Sequence, residues 1–101
     1  MKGRTPTAEE KRWMSEISEF GCCVCKKFFG VTSPPEIHHI GGKTKPDAHL
    51  NTIPLCYQHH RSGESNEKFV SRHPFKTRFT ERYGEEHDLR EYTRDKIGWD
   101  Q

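Results

Sequence analysis

Apolar residues along this chain come in short groups whose spacing changes from helical to strand-like and back. Between Ala8 and Phe20, Trp13, Ile17 and Phe20 fall at i, i+4 and i+7 and form one stripe. Thr7 is a good N-cap, Glu10 three residues later completes a capping-box pattern, and Gly21 can end the segment with a left-handed residue. The spacing therefore predicts a helix over Ala8–Phe20 behind a loose arm at residues 1–6. A second stripe, Phe75, Phe79 and Tyr83, lies between Pro74, which can open a helix in its first turn, and Gly84, which can end it. Glu86–Ile97 predicts a last helix with Leu89, Tyr92 and Ile97 inward and Trp99 packing back on the body of the protein. Asn66–His73, with Phe69 and Val70 apolar, also reads as helix.

In the middle of the chain the period shortens. Ile37 and Ile40 flank two histidines and predict a strand over Glu36–Ile40, on which His38 and His39 face opposite sides. Gly41-Gly42 is a turn and residues 43–47 form a polar loop. Leu50, Ile53 and Leu55 predict a second strand over Leu50–Leu55, which Pro54 confines to an edge or to its own end. Cys56–Arg61 then begins a short helix, cut at Gly63. The expected fold is α+β: a β-hairpin and short helix at the centre, with helices on both sides. It forms one domain over residues 1–101, with arm and helix at 1–20, core at 21–65 and C-terminal helices at 66–101.

Composition asks how such a chain folds. Hydrophobic residues make up 30% of the chain, and its eight glycines raise that to about 38%, against about 45–50% in ordinary domains. Mean hydropathy is -1.07. A chain this polar and this short needs a staple, and a structural metal supplies one, because its binding free energy becomes folding free energy. The ligands stand at the right spacing. Cys22 and Cys25 form a C-x2-C pair and Cys56 and His59 a C-x2-H pair, enough to close one tetrahedron around zinc. Cys23 could replace Cys22, although C-x2-C is the commoner zinc spacing. Histidines at ligand spacing favour metal over two disulfides, and with no signal-peptide pattern at the start of the sequence the expectation is a reducing, cytoplasmic setting.

The net charge of +2, from 17 basic and 15 acidic residues, does not by itself point to nucleic acid. Its distribution is more informative. Residues 22–62 carry Lys26, Lys27, Lys43, Lys45 and Arg61 against Glu36 and Asp47, so a locally basic face on the histidine region is expected. No apolar run approaches the roughly 18 residues of a transmembrane span.

His38, His39, Asn51 and His60 fall outside the tetrahedron but beside it. Together they offer what phosphodiester hydrolysis needs. Negative charge gathering on the phosphate and the departing 3′ oxygen can be stabilised by a divalent cation, for which His38 and His60 are candidate ligands. Water needs a base that titrates near neutral pH, and His39 is the candidate. Asn51 is the candidate orienting or strand-bridging group, and Glu64, four residues past His60, could add a ligand. Lys43, Lys45 and His49 are placed to meet DNA phosphates. Lys76, Arg78 and Arg82 read as a solvated helix face, His73 as a cap or packing residue, and His87 as surface.

The pattern C-x2-C … H-H-I … N-x4-C-x2-H-H resembles the HNH endonucleases of the ββα-metal fold. The resemblance implies a small zinc-stapled, treble-clef-like core in which His38 and His60 bind the catalytic metal, His39 is the base and Asn51 supports the hairpin. It also implies a separate structural zinc on Cys22, Cys25, Cys56 and His59. Many members carry cysteine at that fourth place, so His59 is a departure, and His59 and His60 could exchange roles. The runs GCCVC, IHHIGGKTKPDAH, IPLCYQHH and HPFKTRFTERYG, spanning about residues 20–84, resemble more closely the phage recombination-enhancement (Ref) nucleases. That resemblance implies a phage- or prophage-encoded enzyme in a bacterial host, cutting DNA engaged by a RecA filament. The oligomeric state does not follow from the sequence, and a monomer is the default expectation. The implied catalytic metal is magnesium or manganese, in a site that zinc can also occupy. The rival reading is a zinc-stapled DNA- or protein-binding module without catalysis, which has no need to keep His38, His39 and His60 together. A homing or restriction enzyme with its own sequence specificity would need a recognition domain for which 101 residues leave little room.

Overall fold

A computed structural model describes residues 5–42 and 48–99. Its elements are α1 (Ala8–Phe20), a π-helical turn (Cys25–Phe29), β1 (Glu36–His39), β2 (Thr52–Leu55), α2 (Tyr57–His60), α3 (Lys76–Tyr83) and α4 (Glu86–Ile97). No helix among the described residues is long and apolar enough to cross a membrane.

The capping box at α1 is complete: Glu10 N donates to Thr7 Oγ1 at 3.2 Å and Thr7 N donates to Glu10 Oε1 at 2.8 Å. Gly21 ends the helix at φ +96°, but with ψ at 177° rather than in the left-handed helical basin. A Cβ there would lie 3.0 Å from Thr32 Cγ2 and 3.1 Å from Ser33 O, so glycine is required by space as well as by φ.

β1 and β2 pair antiparallel, with Glu36 opposite Leu55, Ile37 opposite Pro54, His38 opposite Ile53 and His39 opposite Thr52. The period of two then divides the hairpin between two cores. Ile53, Leu55 and the edge of Ile40 join the larger one, with Cys22–Cys25, Cys56, Val70, Phe79, Tyr83 and Leu89. Ile37 packs instead against Trp13, Ile17 and Trp99. Trp99 does pack back: its ring meets Trp13 edge-on at 5.2 Å. Trp13 donates from Nε1 to Thr52 Oγ1 at 2.9 Å, which ties α1 to the hairpin. Trp13 and Ile17 are wholly buried, worth roughly 1.5–3 kcal/mol each by apolar area.

Three predicted elements differ. The second strand begins at Thr52, not Leu50, because residues 48–50 form a turn in which Asn51 N donates to Ala48 O at 3.2 Å. Asn66–His73 is not a helix. Asn66 Oδ1 accepts from Lys68 N at 2.8 Å and Phe69 N at 3.0 Å, closing a local turn that competes with helix, and Ser65 bridges Val70. The third helix correspondingly starts at Lys76 rather than at Pro74.

Candidate metal centres and catalytic site

The first centre grows from two tight turns. Gly21 and the π-helical turn present Cys22 and Cys25, and Cys25 N donates to Cys22 Sγ at 3.5 Å. Cys56 caps α2, so His59 lies one turn on, beside it. All four residues are buried, and their ligating atoms lie within 4.8 Å of one another. Cys25 Sγ is 3.8 Å from Cys56 Sγ, and His59 Nδ1 is 3.2, 3.7 and 3.9 Å from the sulfurs of Cys56, Cys25 and Cys22. Zinc–sulfur bonds of about 2.3 Å and zinc–nitrogen bonds of about 2.0–2.1 Å set tetrahedral edges of roughly 3.8 Å between sulfurs and 3.6 Å from sulfur to nitrogen. Three of these four distances lie within about 0.3 Å of that tetrahedron and the Cys56–His59 one is shorter, so the cluster could hold a metal such as zinc. Hydrogen bonds from Cys22 and His59 pull the Cys56 thiol down to about 3, so the group already favours a thiolate. Cys23 points elsewhere: it is wholly buried, pushed up to about 12 by burial, and linked to Thr93, as suits a small core residue. Of the two neighbouring cysteines, Cys22 therefore belongs to the group that could hold a metal.

The second centre brings together His38, His60 and His73, whose ligating nitrogens also lie within 4.8 Å of one another. The rings of His38 and His60 are 5.2 Å apart, and each is 5.3 Å from that of His73. His38 is buried, His60 half-buried and His73 exposed, so the group opens outward. His73 reaches it through the backbone. The one-turn α2 leaves carbonyls without helical partners. Arg72 N donates to His59 O and His73 N to His60 O, both at 2.9 Å, and these bonds lay residues 72–73 along the helix end.

Two carboxylates stand behind these imidazoles. Glu86, the first residue of α4, lies 2.7 Å from His38 Nε2 through Oε1 and accepts from Arg72 Nε through Oε2 at 2.5 Å. Glu36 lies 2.7 Å from His60 Nδ1 through Oε1, and its Oε2 accepts from Arg61 Nη2 at 2.7 Å. Burial alone would raise the Glu86 carboxyl, but the hydrogen bonds from His38 and Arg72 outweigh it and hold it at about 2. Arg61 first, then His60, hold Glu36 at about 2. Burial lowers His60 and His73, which keeps both imidazoles neutral and able to donate a lone pair at neutral pH.

His39, on the opposite face of β1, meets His49: Nε2 of one is 3.0 Å from Nδ1 of the other. His49 is buried, its ring 5.1 Å from that of His39. Asn51 bridges the hairpin through its backbone, its carbonyl accepting from Ile40 N at 2.8 Å. Glu64 is exposed and outside the histidine group, and its carbonyl accepts from Ser71 N at 2.8 Å. Lys43 and Lys45 lie outside the described residues. Arg78 and Arg82 are tied to the turn at residues 65–67, through Ser65 Oγ and the carbonyls of Asn66 and Glu67.

Spacing alone did not reveal His73, Glu86 or Arg72 as part of this centre. Glu86 is 48 residues from His38 in sequence, and no local pattern joins them. The available signal was compositional: histidine directly before Pro74, in a segment that the structure folds back as a turn.

Fold and site thus define a small α+β protein, with a two-stranded sheet, helices and two groups that could hold metal, one of cysteines and histidine and one of histidines alone. Residues 6–97 match the model of the family described as recombination enhancement, RecA-dependent nuclease. The chain belongs to that family, and by that membership it is a nuclease of recombination enhancement.

Proposed function

We propose that this nuclease is an HNH-type, metal-dependent DNA endonuclease, with a ββα-metal core, acting on DNA engaged by a RecA filament. The observation that supports it most is the convergence of His38, His60 and His73 on a centre that opens outward, with His39 on the same strand. A divalent cation bound to the three histidines would supply charge stabilisation at the scissile phosphate and the leaving 3′ oxygen. His39 takes the proton from the attacking water, and His49 holds its imidazole in place. Asn51 keeps the hairpin shut beside them. Lys43, Lys45 and the basic stretch around them meet the DNA backbone. The four-ligand knuckle on Cys22, Cys25, Cys56 and His59 holds zinc and has no part in the reaction.

Three imidazoles favour zinc and the later transition metals over magnesium, which needs phosphate and water to complete its shell. Manganese and magnesium are the ions to compare in the assay, with zinc a competitor for the same ligands. RecA as partner places the reaction in the cytoplasm of a bacterial cell.

The test is cleavage of circular single-stranded DNA with magnesium or manganese, with and without a RecA–ATP filament, and with His39→Ala as control. Cutting that needs the filament and His39 is the expected result. Cutting without the filament would make the chain a general endonuclease. No cutting by a folded, zinc-loaded protein would move the reading to a binding module.

A further inference from the structure

The two carboxylates behind the histidines repeat one arrangement. Each lies 2.7 Å from a histidine ring nitrogen through one oxygen and is held by an arginine, Arg72 on the other oxygen of Glu86 and Arg61 on both oxygens of Glu36. A carboxylate accepts, so the ring nitrogen facing it carries the proton. In a neutral imidazole the lone pair is then left on the other nitrogen, Nδ1 of His38 and Nε2 of His60. We infer that Glu86 and Glu36 are positioning residues for the histidine metal centre, fixing tautomer and ring orientation so that both lone pairs are available to one cation. The inference rests on the three-histidine centre proposed above.

Three further observations carry it. Glu86 and His38 are 6% and 3% exposed, so this pair sits where a carboxylate left without partners would be costly. The acceptor comes from the start of a 12-residue helix, where a negative side chain is favoured, so α4 delivers it at little cost. Finally, Arg72 takes the far oxygen of Glu86 while the near oxygen faces His38. A carboxylate that served only to anchor α4 would need Arg72 but not the histidine.

The zinc-loaded chain is titrated with cobalt(II). Cobalt in the knuckle is recognised by its sulfur-to-metal absorption, and cobalt at the histidines by its absence. Wild type is expected to bind one cobalt without displacing the knuckle metal. In Glu86→Gln that affinity falls about 10–100-fold, the range seen when a carboxylate behind a metal-bound histidine is lost. The knuckle metal stays, and DNA cutting recovers as metal is raised. Glu36→Gln, at a half-exposed position, keeps the test alive if Glu86→Gln does not fold, and its affinity shifts in the same direction. Unchanged cobalt affinity in a folded variant of either kind overturns the inference. Failure of wild type to bind cobalt at the histidines overturns the centre itself, a separate result.

Discussion

The two Cys/His groups share a chain and an element, since His59 and His60 are neighbours on α2, yet they are built on opposite plans. The knuckle groups its candidate ligands in two pairs, each three residues apart, and buries all four. The histidine group draws one candidate ligand each from β1, α2 and the turn before α3, grades from buried to exposed, and is backed by carboxylates from β1 and α4. A closed set of four ligands is what a structural metal needs, and an open set of three leaves room for a substrate. Adjacent residues can serve both because α2 is a single turn: its inward histidine meets the thiols and the next one faces the hairpin.

The comparison breaks most visibly at the knuckle. Cys25→Ala is expected to unfold the chain, because apparent binding free energies of structural zinc reach roughly 10–16 kcal/mol in small zinc peptides and the apolar core here is lean. Loss of the cooperative thermal transition, followed by circular dichroism with metal content measured in parallel, is the check. A folded, active Cys25→Ala protein would sink the division of labour. His39→Ala should do the reverse: cutting falls by about 10²–10⁴-fold, the usual contribution of a general base, with metal content and thermal midpoint nearly unchanged. Unfolding in that variant would assign His39 and its contact with His49 to structure.

His73→Ala sharpens the contrast between closed and open sets. Cobalt or manganese affinity at the histidines should fall while the knuckle keeps its metal, and the fold should persist because His73 is exposed. Equal affinity in the variant would reduce the centre to His38 and His60.

The same contrast explains what could be read in advance. Cys22, Cys25, Cys56 and His59 were legible as a group that could hold metal because each pair is close in sequence and delivered by a tight turn. α1 and the packing of Trp99 were legible from a capping box and an apolar stripe, both local. His38, His39 and His60 stood out by chemistry and by resemblance. His73, Glu86 and Arg72 did not, because their meeting depends on a loop folding back along α2 and on where α4 begins. The segment at 66–73 misled for a physical reason: its apolar pair Phe69 and Val70 sits among polar residues as in a helix, but the Asn66 side chain captures the amides that a helix would need.

Asn66 therefore makes a small, discriminating test. Its side chain is exposed but accepts from Lys68 N and Phe69 N, and at about 0.5–1.5 kcal/mol net per hydrogen bond Asn66→Ala should cost roughly 1–2 kcal/mol in a urea titration. The turn it closes lies just before the residues that pair with α2, so loosening it should let His73 drift while His38 and His60 stay on their elements. Metal affinity at the histidines is then expected to drop by a few-fold at most, well short of His73→Ala, with no change at the knuckle. A stability loss with no change at the histidines would mean that the bonds from Arg72 and His73 to the end of α2 place the third histidine by themselves. The helix end, and not the turn, would then be what connects the closed centre to the open one.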